Sequence, residues 1–352
     1  MRGCRSEVAD FHLLQQRVCV PNASRCPIAS ASLGFIVWLA LCFAPLDPQL
    51  GVGLIEKLFL LSPLALIPLS LAVVKPDNSW LHMASDLQPL GAAGIAVCYF
   101  FPCGVLSGVF TMLWLGVAVV GAFGAVVHVI RGAYRNPTES AFAVALLGLP
   151  IGAFGFFQSR MGMEPLGFRE PLVLLVAVHF HYAAVIPLIF AGALGRLRRI
   201  ASWRKNKLFS VATILLALGS PILASGYVFR VPLFRLGGAA LLTVGLLIWS
   251  VMMLWSLPKV HSRFAQLLLA IPAVSILAGM TFAMIYAAAD YYGEVWLAIP
   301  YMARTHGVIN ALAFSLCGLI GWCVALKQFA PLLTEKAHQR GRLSPLTRRW
   351  NQ

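Results

Sequence analysis

The chain has 352 residues, 60% hydrophobic and only 11% charged, with a mean hydropathy of +0.83. Soluble domains carry about 25% charged residues, and a soluble fold could not hide this much apolar surface. The net charge of +15 arises from 27 Lys and Arg against 12 Asp and Glu. No aromatic-basic platform or base-reading helix accompanies it, so no nucleic-acid partner is expected.

Residues 1–27 form a polar stretch containing Glu7 and Asp10, too long for the charged region of a signal peptide. They are expected to be a disordered tail or an upstream extension. Residues 28–326 form the membrane domain. A spanning helix takes roughly 20 apolar residues, which leaves room for about ten. The runs are solidly apolar and lack the alternation of barrel strands, so the expected fold is all-α, a polytopic helical transmembrane bundle.

The first span runs from Ile28 to Leu46, with a turn at Asp47-Pro48, and the second from Leu58 to Val74. Leu87 to Ile130 contains no charged residue and reads as two helices joined at Phe101-Pro102-Cys103-Gly104. His82 and Asp86 then fall in the preceding loop. The remaining spans are Ser140 to Phe157, Pro171 to Leu194, Leu208 to Phe229, Leu236 to Leu257, Phe264 to Ala289 and His306 to Leu326. Residues 327–352 are a basic tail.

Basic residues fall in alternate connections. Lys75, Arg131 and Arg135, the stretch from Arg196 to Lys207, Lys259 and Arg263 all share a side with the C-terminal tail. The opposite connections are of mixed charge, with Asp47, Arg160, Glu164, Arg169, Glu170, Arg230, Arg235, Asp290, Glu294 and Arg304. Positive residues mark the cytoplasmic side, so both termini are expected to be cytoplasmic. Trp38, Trp80, Trp203, Trp249, Trp255, Trp296 and Trp322 read as interfacial anchors near span ends. The eight cysteines contain no Cys-x-x-Cys pair and read as small buried hydrophobes.

No phosphate-binding loop, zinc-protease, serine-hydrolase or calcium-loop motif is present, which counts against the common pumps and hydrolases. Ionisable groups inside a span are costly and therefore candidates for function. The candidates are His179, His181 and Tyr182 on the sixth span and His306 and Asn310 on the tenth, with Glu164, Asp290, Glu294 and Arg304 as a rim. His179 and His181 point about 200° apart on an ideal helix and should meet different neighbours. His306 and Asn310, four residues apart, share a face beside Gly307. Pro187 removes an amide donor and can open the turn before it. These residues either line an outward-facing polar cavity or lock the bundle through interhelical hydrogen bonds. His128, beside Arg131, reads as interfacial.

Three stretches resemble the YndJ-like family of bacterial membrane proteins: Glu164-Pro165-Leu166-Gly167-Phe168, His179-Phe180-His181-Tyr182, and Thr305 through Phe314. The resemblance covers mainly Phe154 to Leu326, with no specific match in the first hundred residues. Ala313 stands where the family pattern leads one to expect glycine. The resemblance implies membership, matches Glu164, His179, His181, His306 and Asn310 to the family's motifs, and carries no established substrate, although members are sometimes called transporters.

The leading expectation is a secondary transporter or permease with a histidine-lined site in the outer half. Its substrate would be a small molecule or an ion, its surroundings membrane lipid, and it would need no cofactor. Histidine, with its ordinary pKa near about 6.5, suits proton coupling. The alternative is a membrane-embedded enzyme or a haem or transition-metal protein using His179, His181 and His306 as ligands. A further alternative is a structural or accessory membrane subunit.

Overall fold

The computed structural model describes residues 25–43, 53–75, 78–200 and 207–327. The expected terminal tails apart from residues 25–27 and 327, which are helical, the turn at Asp47-Pro48 and the loop from 201 to 206 with Trp203 fall outside the described residues. Ten long helical stretches occur among the described residues. They are α1 (Arg25–Phe43), α2 (Leu54–Val74), α3 (Ser79–Cys98), α4 (Val105–Ile130) and α5 (Pro137–Arg160), followed by α6 (Leu172–Arg198), α7 (Lys207–Val228), α8 (Pro232–Leu254), α9 (Arg263–Tyr292) and α10 (Ile299–Lys327). Eight are long and apolar enough to cross a membrane; α1, apolar over Pro27–Phe43, is shorter, and α3 is more polar. No strand occurs among the described residues.

Local chemistry starts and stops these helices. The side chain of Asn78 accepts the amide of Leu81 at 3.0 Å at the head of α3, and Asn136 accepts that of Thr138 at 3.2 Å at the head of α5. Pro137 follows at the first helical position, where its missing amide costs nothing, and Glu139 sits in the first turn. Gly293 ends α9 in the left-handed conformation, φ 75°.

Helix α2 is the centre of the bundle. Within its apolar window 89% of residues are buried, against 33% in α4, 28% in α7 and 33% in α9, whose remaining faces are left for lipid. The Trp38 indole on α1 donates to the Lys57 carbonyl at 2.7 Å, and the Lys57 ammonium reaches the Cys42 carbonyl at 3.1 Å, which ties α1 to α2. Consecutive helices pack as antiparallel pairs, α3 with α4, α4 with α5, α7 with α8 and α8 with α9. Small residues bring backbones close, as in α3, where a Cβ on Gly94 would lie 2.6 Å from the Phe110 carbonyl oxygen.

Three helices are wound in π turns. In α2 the π segment Ser62–Leu66 is followed by Ile67-Pro68, and in α6 the segment Phe180–Val185 is followed by Ile186-Pro187. In each the proline removes an amide and its ring displaces the carbonyl four residues back, and the preceding turn widens. In α10 the segments Ala303–Gly307 and Ile309–Leu316 are π-helical without a following proline.

Four expectations need correction. His82 and Asp86 are not in a loop, because α3 begins at Ser79 behind its Asn78 cap. Arg160 is the last residue of α5 and only 4% exposed. Arg196 lies on α6. Trp249 and Trp322, 1% and 0% exposed, are core residues rather than interfacial anchors; Trp249 packs on Phe190 and Phe314. A large ring can fill the bundle axis wherever its helix faces inward, and span-end position does not report that direction.

Candidate functional site

The π segments of α6 and α10 carry most of the candidate side chains. His179 donates its Nδ1–H to the Leu175 carbonyl at 2.7 Å, since a carbonyl oxygen can only accept. One turn on, the Tyr182 hydroxyl donates to the Leu58 carbonyl of α2 at 2.6 Å. Gly307 of α10 meets the same residue: a Cβ there would lie 2.9 Å from the Leu58 side chain. Leu58 is therefore flanked by α6 and α10. His306 donates Nδ1–H to the Gly279 carbonyl of α9 at 2.8 Å, and Asn310 Nδ2 lies 3.1 Å from His306 Nε2.

His181 takes the opposite direction, as its angular offset requires. It is fully buried, its Nδ1–H donates to the Ala177 carbonyl at 2.8 Å, and its Nε2 accepts the Trp114 indole N–H at 3.0 Å. Phe59 packs against it in a T-shaped arrangement with ring centroids 5.1 Å apart. With both ring nitrogens engaged, His181 is a neutral cross-brace between α4 and α6 and presents no free lone pair. Among the described residues no three His, Cys, Asp or Glu side chains converge in a way that could hold a metal ion.

The suggested rim residues are dispersed. Glu164 pairs with Arg169 at 3.3 Å on the surface, and Arg304 is exposed at the start of its π segment. Asp290 pairs with Arg235 at 2.9 Å, the guanidinium lying over the Tyr227 ring, and Glu294 is exposed.

Two charged clusters escaped the sequence reading. At the basic end, Arg196 contacts both oxygens of Glu139, at 3.0 and 3.4 Å. It also donates to the Val73 and Val74 carbonyls at 3.0 and 2.7 Å and lies over the Phe142 ring. His128 reaches Glu139 at 3.5 Å. These residues surround a small cavity together with Lys75. Partial desolvation, and the nearby Arg196 charge, hold the Lys75 ammonium below its usual range. At the other end the buried Arg160 guanidinium donates to Ser107 Oγ at 2.9 Å and to the Cys98 and Phe101 carbonyls at 3.2 and 2.8 Å, stacked on Tyr99. The Asn136-Pro137-x-Glu139 capping pattern was the available signal for the first cluster. Nothing local marked Arg160, because its partners lie more than fifty residues away in sequence.

The YndJ-like protein family model matches residues 57–314. The chain is 28% identical over 298 residues to a Bacillus subtilis (strain 168) protein described as an uncharacterized membrane protein YndJ. That alignment covers 80% of this chain and 51% of the relative, so the chain spans about half the length of the curated protein it matches. No solved structure matches. The family match reaches back into the first hundred residues, where the motifs alone had given no resemblance. It encloses α6, α9 and the candidate residues of α10, and the chain, a membrane protein with several apolar helices, belongs to the YndJ-like family.

Proposed function

We propose that the protein is a permease of the secondary-transporter type, with a polar site formed by His179, Tyr182, His306 and Asn310 in the outer half of a bacterial inner membrane and with both termini cytoplasmic. The observation that carries this reading is the meeting of two π-wound helices, α6 and α10, around Leu58 of α2, with four polar side chains at that junction. Broken or widened helical turns in a membrane are tolerated where backbone lines a cavity or a binding site. Polar groups at such depth are otherwise costly. The alternate placement of basic connections supports the orientation.

Accessibility tests it. With all eight native cysteines replaced, Asn310→Cys should react with a membrane-impermeant maleimide added to intact cells. Ala311→Cys, at a position 1% exposed, should not. Equal, negligible labelling at both positions would sink the reading.

A further inference from the structure

Hydrogen-bond donors and acceptors are out of balance at the junction of α2, α6, α9 and α10. His179 directs its Nδ1–H to Leu175, and its Nε2 has no partner among the described residues. Tyr182 gives its hydroxyl hydrogen to Leu58, which leaves oxygen lone pairs. His306 directs Nδ1–H to Gly279, and the amide nitrogen of Asn310 is turned toward the His306 ring. What remains of Asn310 is Oδ1, which is buried, faces Gly279 and has no hydrogen-bond partner among the described residues.

The one buried side-chain atom of this cluster left without a partner among the described residues, Asn310 Oδ1, is an acceptor, and His179 Nε2 and Tyr182 Oη add lone pairs beside it. A buried acceptor without a donor is costly, and a solute that supplies N–H or O–H groups would relieve that cost. An anion would face the lone pairs of these three atoms. The polar cluster itself contains no Asp or Glu, so a cation brought there would lose its hydration without gaining a counter-charge.

Resting on the permease reading, we propose that this site takes a small uncharged solute rich in hydrogen-bond donors, of polyol or primary-amide type, held by His179 Nε2, Tyr182 Oη and Asn310 Oδ1. The π segments are the elements that would move to admit it, because their turns are already wider than those of an α-helix.

The test uses the full chain in proteoliposomes, with xylitol and urea as neutral probes followed by stopped-flow light scattering, and methylammonium and lactate as charged probes followed by isotope uptake. Xylitol or urea should cross faster than in protein-free vesicles, the two distinguishing O–H from N–H recognition. Asn310→Leu should reduce that flux at least tenfold. Asn310→Asp, nearly isosteric, covers the case in which the leucine variant fails to fold, and it should shift preference toward methylammonium. Wild-type flux of a charged probe without either neutral one overturns the solute class and leaves the permease reading standing. No flux of either neutral probe, together with maleimide labelling of the Asn310→Cys variant, likewise overturns the class alone; if that variant does not label, the permease reading falls with it.

Discussion

The Trp114 indole N–H donates to Nε2 of His181 across 3.0 Å, between two side chains that are both fully buried. Trp114→Phe keeps the packing but leaves a buried acceptor unpaired, at a cost of about 1–3 kcal/mol. Adding His181→Leu removes the orphaned acceptor, so the double variant should lose less than the sum of the singles. A double-mutant cycle from unfolding in mixed detergent micelles checks this. Strict additivity would mean that the contact contributes nothing.

Arg196 joins three helix ends at once. Arg196→Ala strips Glu139 of its bidentate partner and the end of α2 of two carbonyl contacts. Breaking a fully buried pair costs about 3–5 kcal/mol. Because these side chains are 24% and 18% exposed, solvent screening reduces the expectation to about 1–3 kcal/mol. Glu139→Gln, which keeps a hydrogen-bond acceptor, should cost less. Thermal unfolding of the three proteins in one detergent ranks them.

Gly279 bears directly on the candidate site. A Cβ there would lie 2.6 Å from Asn310 Oδ1, and Gly279→Ala must push the amide away from its place beside His306. Any flux through the site should fall several-fold in this variant while the protein stays folded. Gly237→Ala, at a position with nothing within 4 Å, should leave flux unchanged, and the two are compared in the same vesicle assay.

Lys75 gives the basic end a pH dependence. Although the residue as a whole is exposed, partial desolvation of its ammonium and the Arg196 charge lower its pKa from the usual 10.5. The unfolded chain therefore binds this proton more tightly than the folded one, and stability should rise with pH from the folded pKa up to the ordinary lysine value. Lys75→Met should flatten that rise. Melting temperatures recorded from neutral to alkaline pH in both proteins provide the comparison.

The two clusters differed in how readable they were. Glu139 sits three residues after Asn136 and two after Pro137 at a helix start, a pattern visible in the sequence that also places α5 earlier than its first apolar residue. Arg160 had no such mark. Its burial depends on the Cys98–Gly104 turn folding over the end of α5, where the Gly104 amide donates to the Arg160 carbonyl at 2.8 Å. His82 and Asp86 failed as loop residues for the opposite reason, since the Asn78 cap lengthens α3 beyond its apolar run and carries both onto a helix.

Hydropathy alone determined that this chain is a helical bundle in lipid, because runs of apolar residues of that length have no other way to satisfy their backbone. The turn of about 100° per residue also decided, before any coordinates, that His179 and His181 would part company. Which of the two would be braced and which left with an open nitrogen depended on what stood opposite. Trp114 faces His181, whereas the Nε2 of His179 meets no hydrogen-bond partner among the described residues. Only tertiary structure decides this, since periodicity gives the direction a side chain takes from its own helix and says nothing of the neighbour it meets.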